Sequence, residues 1–593
     1  MEIAGLALSG VSLSFQVFGG CVKGFVLLSG AHNLGKDASL LRTMLNLEEY
    51  RFVQWASAVG LLAGPPPEIN ERLNQALAAD LMGQLEQLLS INKLRDRYKL
   101  ELVTDKPATA VASLPKEDSS DAGGILRRAV SDDMRGEILA RAKLIQSKSH
   151  LPKRLWWAAI DKKRFEALVE DVRQLVNGLW TLLDPVQQTD LMSLMRKVLT
   201  TVIQVSEDVG ELRALQGGLE SSNVSSRKDV GEMAIAAGLK ALRVEINDPD
   251  PTSIKHPQMA QAGPDASTGH SRSSETPNLE SLKPNLLKDF IASSSNPAVG
   301  SGLYEGVPVY VEHKSVPQKL KSKMSSRVRN LALLLSKPQD PSFFTLQCLG
   351  FFEDGERFVF LYKYPDEALM GTDPCCPGAP KSLLDLLRDS TIRSPSATTR
   401  LAIALNLCRT ILTLHTAGWL HKDLRSENIL FFSQAYPNES AAFWSRPYLT
   451  GFAFSRYDTP DAISEHPSAD PQRDIYRHPN ALGEPSTSFQ KHMDLYSLGT
   501  ILVEIAEWKA LKRLVVKCVD VSKPEKEVPL SAIAAIPRWL LEKEVENGEA
   551  KFRMGDVYGE AIARCLKYGT EMEAEDSLSD LLVMVKSLQQ CHI

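Results

Sequence analysis

Apolar residues recur at steps of three and four through most of the first 215 positions, and that spacing predicts helices. The clearest stripe lies in RLWWAAIDKKRFEALVEDVRQLVNGLWTLL, residues 154–183. There Phe165, Leu168, Val169, Val172, Leu175, Val176, Leu179 and Trp180 share one side, and Glu166, Glu170, Asp171 and Arg173 fall on the other. Asp184-Pro185 ends this helix, and another is expected over 189–208, carrying Leu191, Leu194, Val198, Val202 and Ile203. An earlier one is expected over 71–100, with Leu73, Leu77, Leu81, Leu85, Leu88 and Leu89. Residues 104–124 are polar and punctuated by Pro and Gly, which predicts a loop. Stripes of this kind bury against one another, so residues 1–215 are expected to form an all-α helical bundle.

Residues 216–284 read as one helix, 228–244 with Met233, Ile235, Leu239 and Leu242, followed by a linker. The segment 247–285 is rich in Pro, Ser, Gly and charge and has too little apolar surface to offset its ordering entropy, so disorder is expected there. Whether 228–244 joins the bundle or braces the linker is left open by the pattern. Beyond the linker, VPVYVEHK (307–314) and FVFLYKYP (358–365) are β-type runs, and helical stretches follow at 399–418 and 493–508. Strands first and helices later predict a two-lobed α+β domain over 285–593. The chain therefore reads as multidomain, which suits its 593 residues. No internal repeat is visible.

Composition narrows the function classes. Hydrophobic residues make up 43 % and charged residues 24 %, as in ordinary globular protein. A net charge of −5, with no basic tail or aromatic-interleaved basic stripe, argues against a nucleic-acid partner. The eight cysteines are scattered, without CxxC or zinc spacing, as expected for a reducing compartment. The N-terminus carries twenty uncharged residues from Ile3 to Val22, yet Met1-Glu2 is not a secretory start. Serines, Gln16 and four glycines dilute the stretch. It reads either as a buried helix or as one stored in the bundle and released into lipid, with Leu6, Leu8, Val11, Leu13, Phe15, Val17 and Phe18 as the inserting residues. Gly20 and Gly24 form a small-xxx-small pair that permits close helix approach in either setting.

The stretch HKDLRSENIL, residues 421–430, resembles the catalytic loop of a protein kinase. Asp423 stands where such a loop has its base, Arg425 follows two residues on, and Asn428 has the spacing of a magnesium ligand. Asp494-Leu495-Tyr496-Ser497-Leu498-Gly499 resembles the DxWSxG helix beneath that loop, and Tyr476 to Asn480 occupies the place of Ala-Pro-Glu. The metal-binding Asp-Phe-Gly is replaced: in LTGFAFSR, residues 449–456, Gly451 falls at the Asp and offers no carboxylate. Lys314 matches the nucleotide-binding lysine, but residues 315–337 contain no Asp or Glu to pair with it and are basic instead (Lys319, Lys321, Lys323, Arg327, Arg329). Gly300, Gly302 and Gly306 do not make a phosphate-covering loop, which would fall near 293–298. ATP and magnesium are accordingly expected to bind weakly or not at all.

Two family resemblances rest on these residues. The opening EIAGLALSGVSLSFQVFGGCVKGFVLL, Phe52-Val53-Gln54-Trp55 and LWWAAIDKKRFEALVEDVRQLVNGLW resemble the fungal HeLo domain of the het-s/lop-B type. That resemblance implies a cell-death or heterokaryon-incompatibility executioner whose N-terminal segment enters the plasma membrane. Residues 285–590, through YEGVPVYVEHK and PYLTGFAFSR, resemble the kinase-like domain found behind HeLo domains. The pairing is similar to the mixed-lineage kinase domain-like executioners, a bundle joined to a pseudokinase. It implies a cytoplasmic effector with conditional membrane association, self-association and an upstream receptor or kinase of unknown identity. The alternatives are an active atypical protein kinase localised by its helical domain, and a non-catalytic scaffold.

Overall fold

The computed structural model describes residues 2–29, 38–62, 69–70, 73–103, 156–158, 162–221, 228–247, 282–293, 296–316, 318–336, 343–369, 379–432, 441–458, 470–483, 487–520, 528–570 and 577–591. They divide into two compact units, Met1–Val244 and Glu245–Ile593.

The first unit is built from α1 (Glu2–Ser29), α2 (Ala38–Ala58), α3 (Gln75–Leu88), α4 (Ile91–Tyr98), α5 (Lys162–Thr181), α6 (Pro185–Val205), α7 (Val209–Ser221) and α8 (Lys228–Asn247). Two expectations change. The single helix over 71–100 breaks at Ser90, whose hydroxyl caps the N–H of Lys93 and restarts the chain as α4. The helix expected from 154 begins only at Lys162, because β2 (Trp156–Ala158) pairs antiparallel with β1 (Glu101–Val103). A Trp-Trp pair suits a strand at least as well as a helix. α6 starts on a capping box between Asp184 and Gln187, with Pro185 in the first turn. α8 belongs to the bundle: Ala236, Ala237 and Ala241 are in its core, Arg196 meets Glu232 at 3.2 Å, and Lys240 reaches Glu207 at 2.6 Å. The loop at 104–124 and nearly all of the linker lie outside the described residues.

α1 packs against α3 at two glycines. A Cβ on Gly24 would lie 2.4 Å from that of Leu89, and one on Gly20 would strike the Glu86 carboxylate. Between them Cys21 Sγ donates to the Met82 carbonyl at 3.3 Å. Phe15, Phe18, Val22, Phe25 and Leu28 are buried, and Phe18 stands 5.1 Å from Phe52. α2 and α5 are joined by charge. Glu48 is fully buried and accepts from Arg51 at 2.8 Å and Arg173 at 3.1 Å, while Arg51 also donates to Asn177 at 2.7 Å. Buried ion pairs contribute little net stability but penalise any register that leaves one partner alone.

The second unit opens with a five-stranded antiparallel sheet of order β3-β4-β5-β7-β6. Its strands are β3 (Leu287–Ala292), β4 (Val299–Tyr304), β5 (Val307–Ser315), β6 (Cys348–Asp354) and β7 (Arg357–Lys363). One face carries Val309, Val311, Val359 and Leu361 into a small core, and Tyr310, Glu312 and Lys314 alternate onto the other. Helix α9 (Gln318–Ser336) packs against β6. The rest is mainly helical, built around α11 (Ala397–Thr416), α12 (Lys491–Glu507), α13 (Asp556–Leu566) and α14 (Ser577–Gln590). A short α10 (Leu383–Arg388) and two small sheets, β8 (Lys381–Ser382) with β10 (Ile429–Phe431) and β11 (Tyr448–Leu449), and β9 (Trp419–Leu420) with β12 (Arg456–Tyr457), complete it.

Gly24→Val is expected to destabilise the protein by about 1–3 kcal/mol, since α3 cannot retreat without opening the core. Gly83→Ala, where an added Cβ meets nothing within 4 Å, should stabilise by about 0.5–1 kcal/mol. Urea unfolding of the two variants against the parent measures both.

Candidate functional site

The loop 421–428 leaves β9, makes one 3-10 turn over Ser426–Asn428, and enters β10. Its shape is imposed from below by Asp494 in the first turn of α12, which is fully buried. One oxygen of Asp494 accepts from His421 N at 2.8 Å and meets His415 Nε2 at 3.1 Å; the other accepts from Lys422 N at 2.9 Å. Burial alone would raise the pKa of Asp494, but the hydrogen bond from His415 and the Lys422 N–H help to outweigh it and hold the carboxyl below its ordinary value. Lys422 has φ +71, a left-handed conformation that these two bonds to Asp494 sustain. Burial lowers the pKa of His421. The neutral ring donates from Nε2 to the Thr450 carbonyl at 2.9 Å, and Nδ1 accepts from Asp423 N at 3.3 Å.

The residues read as catalytic lie together, and they are engaged with one another. Asn428 donates to the Asp423 carbonyl at 2.7 Å and to the Asp423 carboxylate at 3.1 Å. Arg425 contacts that carboxylate at 3.3 Å and Glu427 at 3.2 Å. Gly451 has φ +79, and a Cβ there would lie 2.3 Å from Asn428 Nδ2. The Asn428 amide thus fills the space that a side chain at 451 needs. No aspartate enters that position without displacing Asn428.

A carboxylate does reach Gly451, from a place the sequence reading overlooked. Glu312, on β5 two residues before Lys314 and on the same face, accepts from Gly451 N at 2.8 Å and from Tyr362 at 3.3 Å. Burial pushes its pKa up to about 7; the Gly451 and Tyr362 bonds and the charge of Arg425 oppose this, and the charge of Asp423 adds to it. In the sequence the acid partner of Lys314 is expected on the helix that follows it, whereas Glu312 lies on the strand that carries it. The period-two alternation of β5 was the available signal.

Lys314 does not face open space. Its ammonium donates to the Ala453 carbonyl and stands 5.4 Å from the Phe454 ring centre. From α9, Arg327 donates to the Phe454 carbonyl and, at 3.0 Å, to the Ser455 carbonyl. Two cations therefore hold three successive carbonyls of the segment after Gly451. Of the other basic residues, Lys321 pairs with Glu353 at 2.7 Å and Arg329 is exposed. Gly300 and Gly302 lie within β4 against β3, and Gly306 makes the turn into β5. In α1, Phe15 and Phe18 are buried and Val17 is partly buried; Leu6, Leu8, Val11 and Leu13 are helical, with side chains outside the described set.

Asn428 engages Asp423 through Nδ2 alone, so its Oδ1 is the atom that could meet a cation, while Glu312 is shared between an N–H and a phenol and Gly451 brings no carboxylate. No group of three or more His, Cys, Asp or Glu among the described residues is placed to hold a metal. Also among the described residues, no helix is long and apolar enough to cross a membrane.

The raised pKa of Glu312 has a pH consequence. Below its ordinary value of 4.5, folded and unfolded chains both hold the proton and there is no penalty. As pH rises from 4.5 through about 7, the unfolded carboxyl ionises first and the fold bears a growing cost, complete above about 7. Glu312→Gln is therefore expected to be more stable than the parent by about 1–3 kcal/mol at alkaline pH, with the advantage shrinking to nothing in acid. Chemical unfolding across the pH range reads it, and a difference independent of pH would show that the Glu312 carboxyl has the same pKa folded and unfolded.

Comparison with known families matches residues 5–215 to HeLo, described as "Prion-inhibition and propagation". Residues 365–583, which contain the loop and Asp494, match a domain of unknown function, DUF7580. No curated protein matches the chain. The HeLo match therefore spans the helical bundle, including Gly20, Gly24 and the buried Phe15, Phe18 and Phe52.

Proposed function

We propose that the protein is a cell-death or incompatibility-type signalling effector, in which a catalytically impaired kinase-like domain over 285–593 controls a membrane-targeting HeLo bundle. The observation that carries the regulatory half is the Asn428 amide standing where a side chain at 451 would be, with Lys314 drawn onto a backbone carbonyl. Cation-assisted phosphoryl transfer depends on electrostatic stabilisation of the phosphates, and here Gly451 supplies no carboxylate while Lys314 is held on the Ala453 carbonyl. What remains is a shaped loop that holds a conformation.

The membrane half follows from the seating of α1. Five of its residues from Phe15 onward, Phe15, Phe18, Val22, Phe25 and Leu28, are buried apolar side chains, each contributing about 1.5–3 kcal/mol. Withdrawing all of them costs on the order of 10 kcal/mol, comparable with the stability of a whole domain. The segment before Phe15, with Leu6, Leu8, Val11 and Leu13, is the part that engages lipid first. As a helix, residues 2–14 extend only about 20 Å, short of the roughly 30 Å hydrocarbon core, so they lie in the interface. Self-association would then multiply weak anchors.

Titration calorimetry of the intact protein with ATP is expected to show no magnesium-dependent binding and no transfer of the γ-phosphate. Magnesium-dependent turnover that disappears in Asp423→Asn would establish the active-kinase alternative instead. Residues 1–244, which have their own core, are expected to release dye from anionic vesicles more strongly than the intact chain does. Leu8→Glu or Val11→Glu should abolish the release, and leakage that survives both would remove α1 from the mechanism.

A further inference from the structure

The second unit has a cleft of about 630 Å³ away from Lys314 and Gly451, lined by Arg388, Gln472, Ala510, Lys512, Arg513 and Val516. Its walls come from three places: the last residue of α10, the short helix Pro471–Asp474, and the helical turns Leu511–Leu514 and Val515–Lys517. The side chains of Arg388, Lys512 and Arg513 make no hydrogen bond or close ion pair with any other described residue, though the Arg388 charge acts on the buried Glu504. Three acids at its rim are already matched, and Glu504, behind Leu511, keeps one oxygen without a hydrogen-bond partner. Asp470 pairs with Arg473 at 3.4 Å, Asp474 with Arg477, and Asp389 meets Lys381 at 3.8 Å. Three like charges converging on one concavity repel one another unless an anion sits among them.

We propose that this cleft binds a phosphorylated peptide segment, with Arg388 and Arg513 gripping phosphate oxygens and Lys512 adding a third charge. Guanidinium forks suit phosphate because two parallel N–H groups meet two oxygens. The volume is that of a pocket for a few residues and too small for a nucleic-acid helix. The exposed Val516 gives an apolar contact beside the charges, as a peptide side chain needs.

The cleft is wired to the loop through one side chain. The buried Glu504 carboxylate of α12 accepts from Leu511 N at 2.6 Å, from Tyr476 at 2.7 Å and from Ser426 at 3.3 Å. The cleft wall, the 470–478 segment and the loop therefore share a single acceptor. An occupant that shifts Leu511 also shifts the bond to Ser426. The site depends neither on nucleotide nor on the membrane reading.

The test uses the intact protein and fluorescence anisotropy of a labelled Gly/Ser peptide carrying two phosphoserines. The same peptide with serines, the same with glutamates, and phosphatidylserine–phosphatidylcholine vesicles serve as comparison probes. The expected result is salt-sensitive binding of the phosphopeptide, weakened roughly tenfold or more in Arg388→Glu/Lys512→Glu/Arg513→Glu. The equally charged control Lys288→Glu/Arg329→Glu/Arg357→Glu, at exposed positions elsewhere in the unit, should bind as the parent does. Near-ultraviolet circular dichroism checks that both variants fold, and Arg513→Glu alone replaces the triple variant if it does not. The proposal is overturned if the serine peptide binds as well, if both triple variants weaken binding equally, or if only the vesicles respond to the cleft charges.

Discussion

The second unit turns on a carboxylate that has no access to water. Asp494 gathers two consecutive backbone N–H groups and an imidazole, and through them it dictates the course of residues 421–423. A buried charge survives only where its lone pairs are used, and here they are used to bend a loop. The side chains of that loop then face each other: Asn428 onto Asp423, Arg425 onto Asp423 and Glu427, His421 onto Thr450. The loop keeps its form because α12 holds it, independently of any reaction.

Three acids in this unit differ in how their surroundings treat them. Asp494 receives enough donors to stay ionised, whereas Glu312 and Glu504 have pKa values raised to about 7, with burial as the largest cause. Both raised groups bridge separate segments: Glu312 ties the sheet to Gly451, and Glu504 ties α12 to Ser426, Tyr476 and Leu511. Bridges of this kind have a strength set by protonation, which a fold made rigid by apolar packing alone would not show.

Much of this was legible beforehand. The stripe Phe165 to Trp180 marks a helix because its period leaves one dry face, and β5 and β7 declare themselves by β-branched and aromatic runs. The departures have local causes. Ser90 interrupts an unbroken leucine pattern by capping the N–H of Lys93, and Trp156–Ala158 take a strand partner over fifty residues away that no window contains. At the site, the missing carboxylate at 451 was plain. That Asn428 would fill the void, and that Glu312 would approach from the adjacent strand, depends on tertiary distances that sequence spacing does not encode.

The grip of Lys314 and Arg327 on the carbonyls of Ala453, Phe454 and Ser455 has a mechanical side. One cation comes from the sheet and the other from α9, so the clasped strip is fastened at two anchorages with separate foundations. Losing either one alone leaves the neighbouring carbonyls engaged by the other, so the strip is tethered to the sheet and to the helix independently.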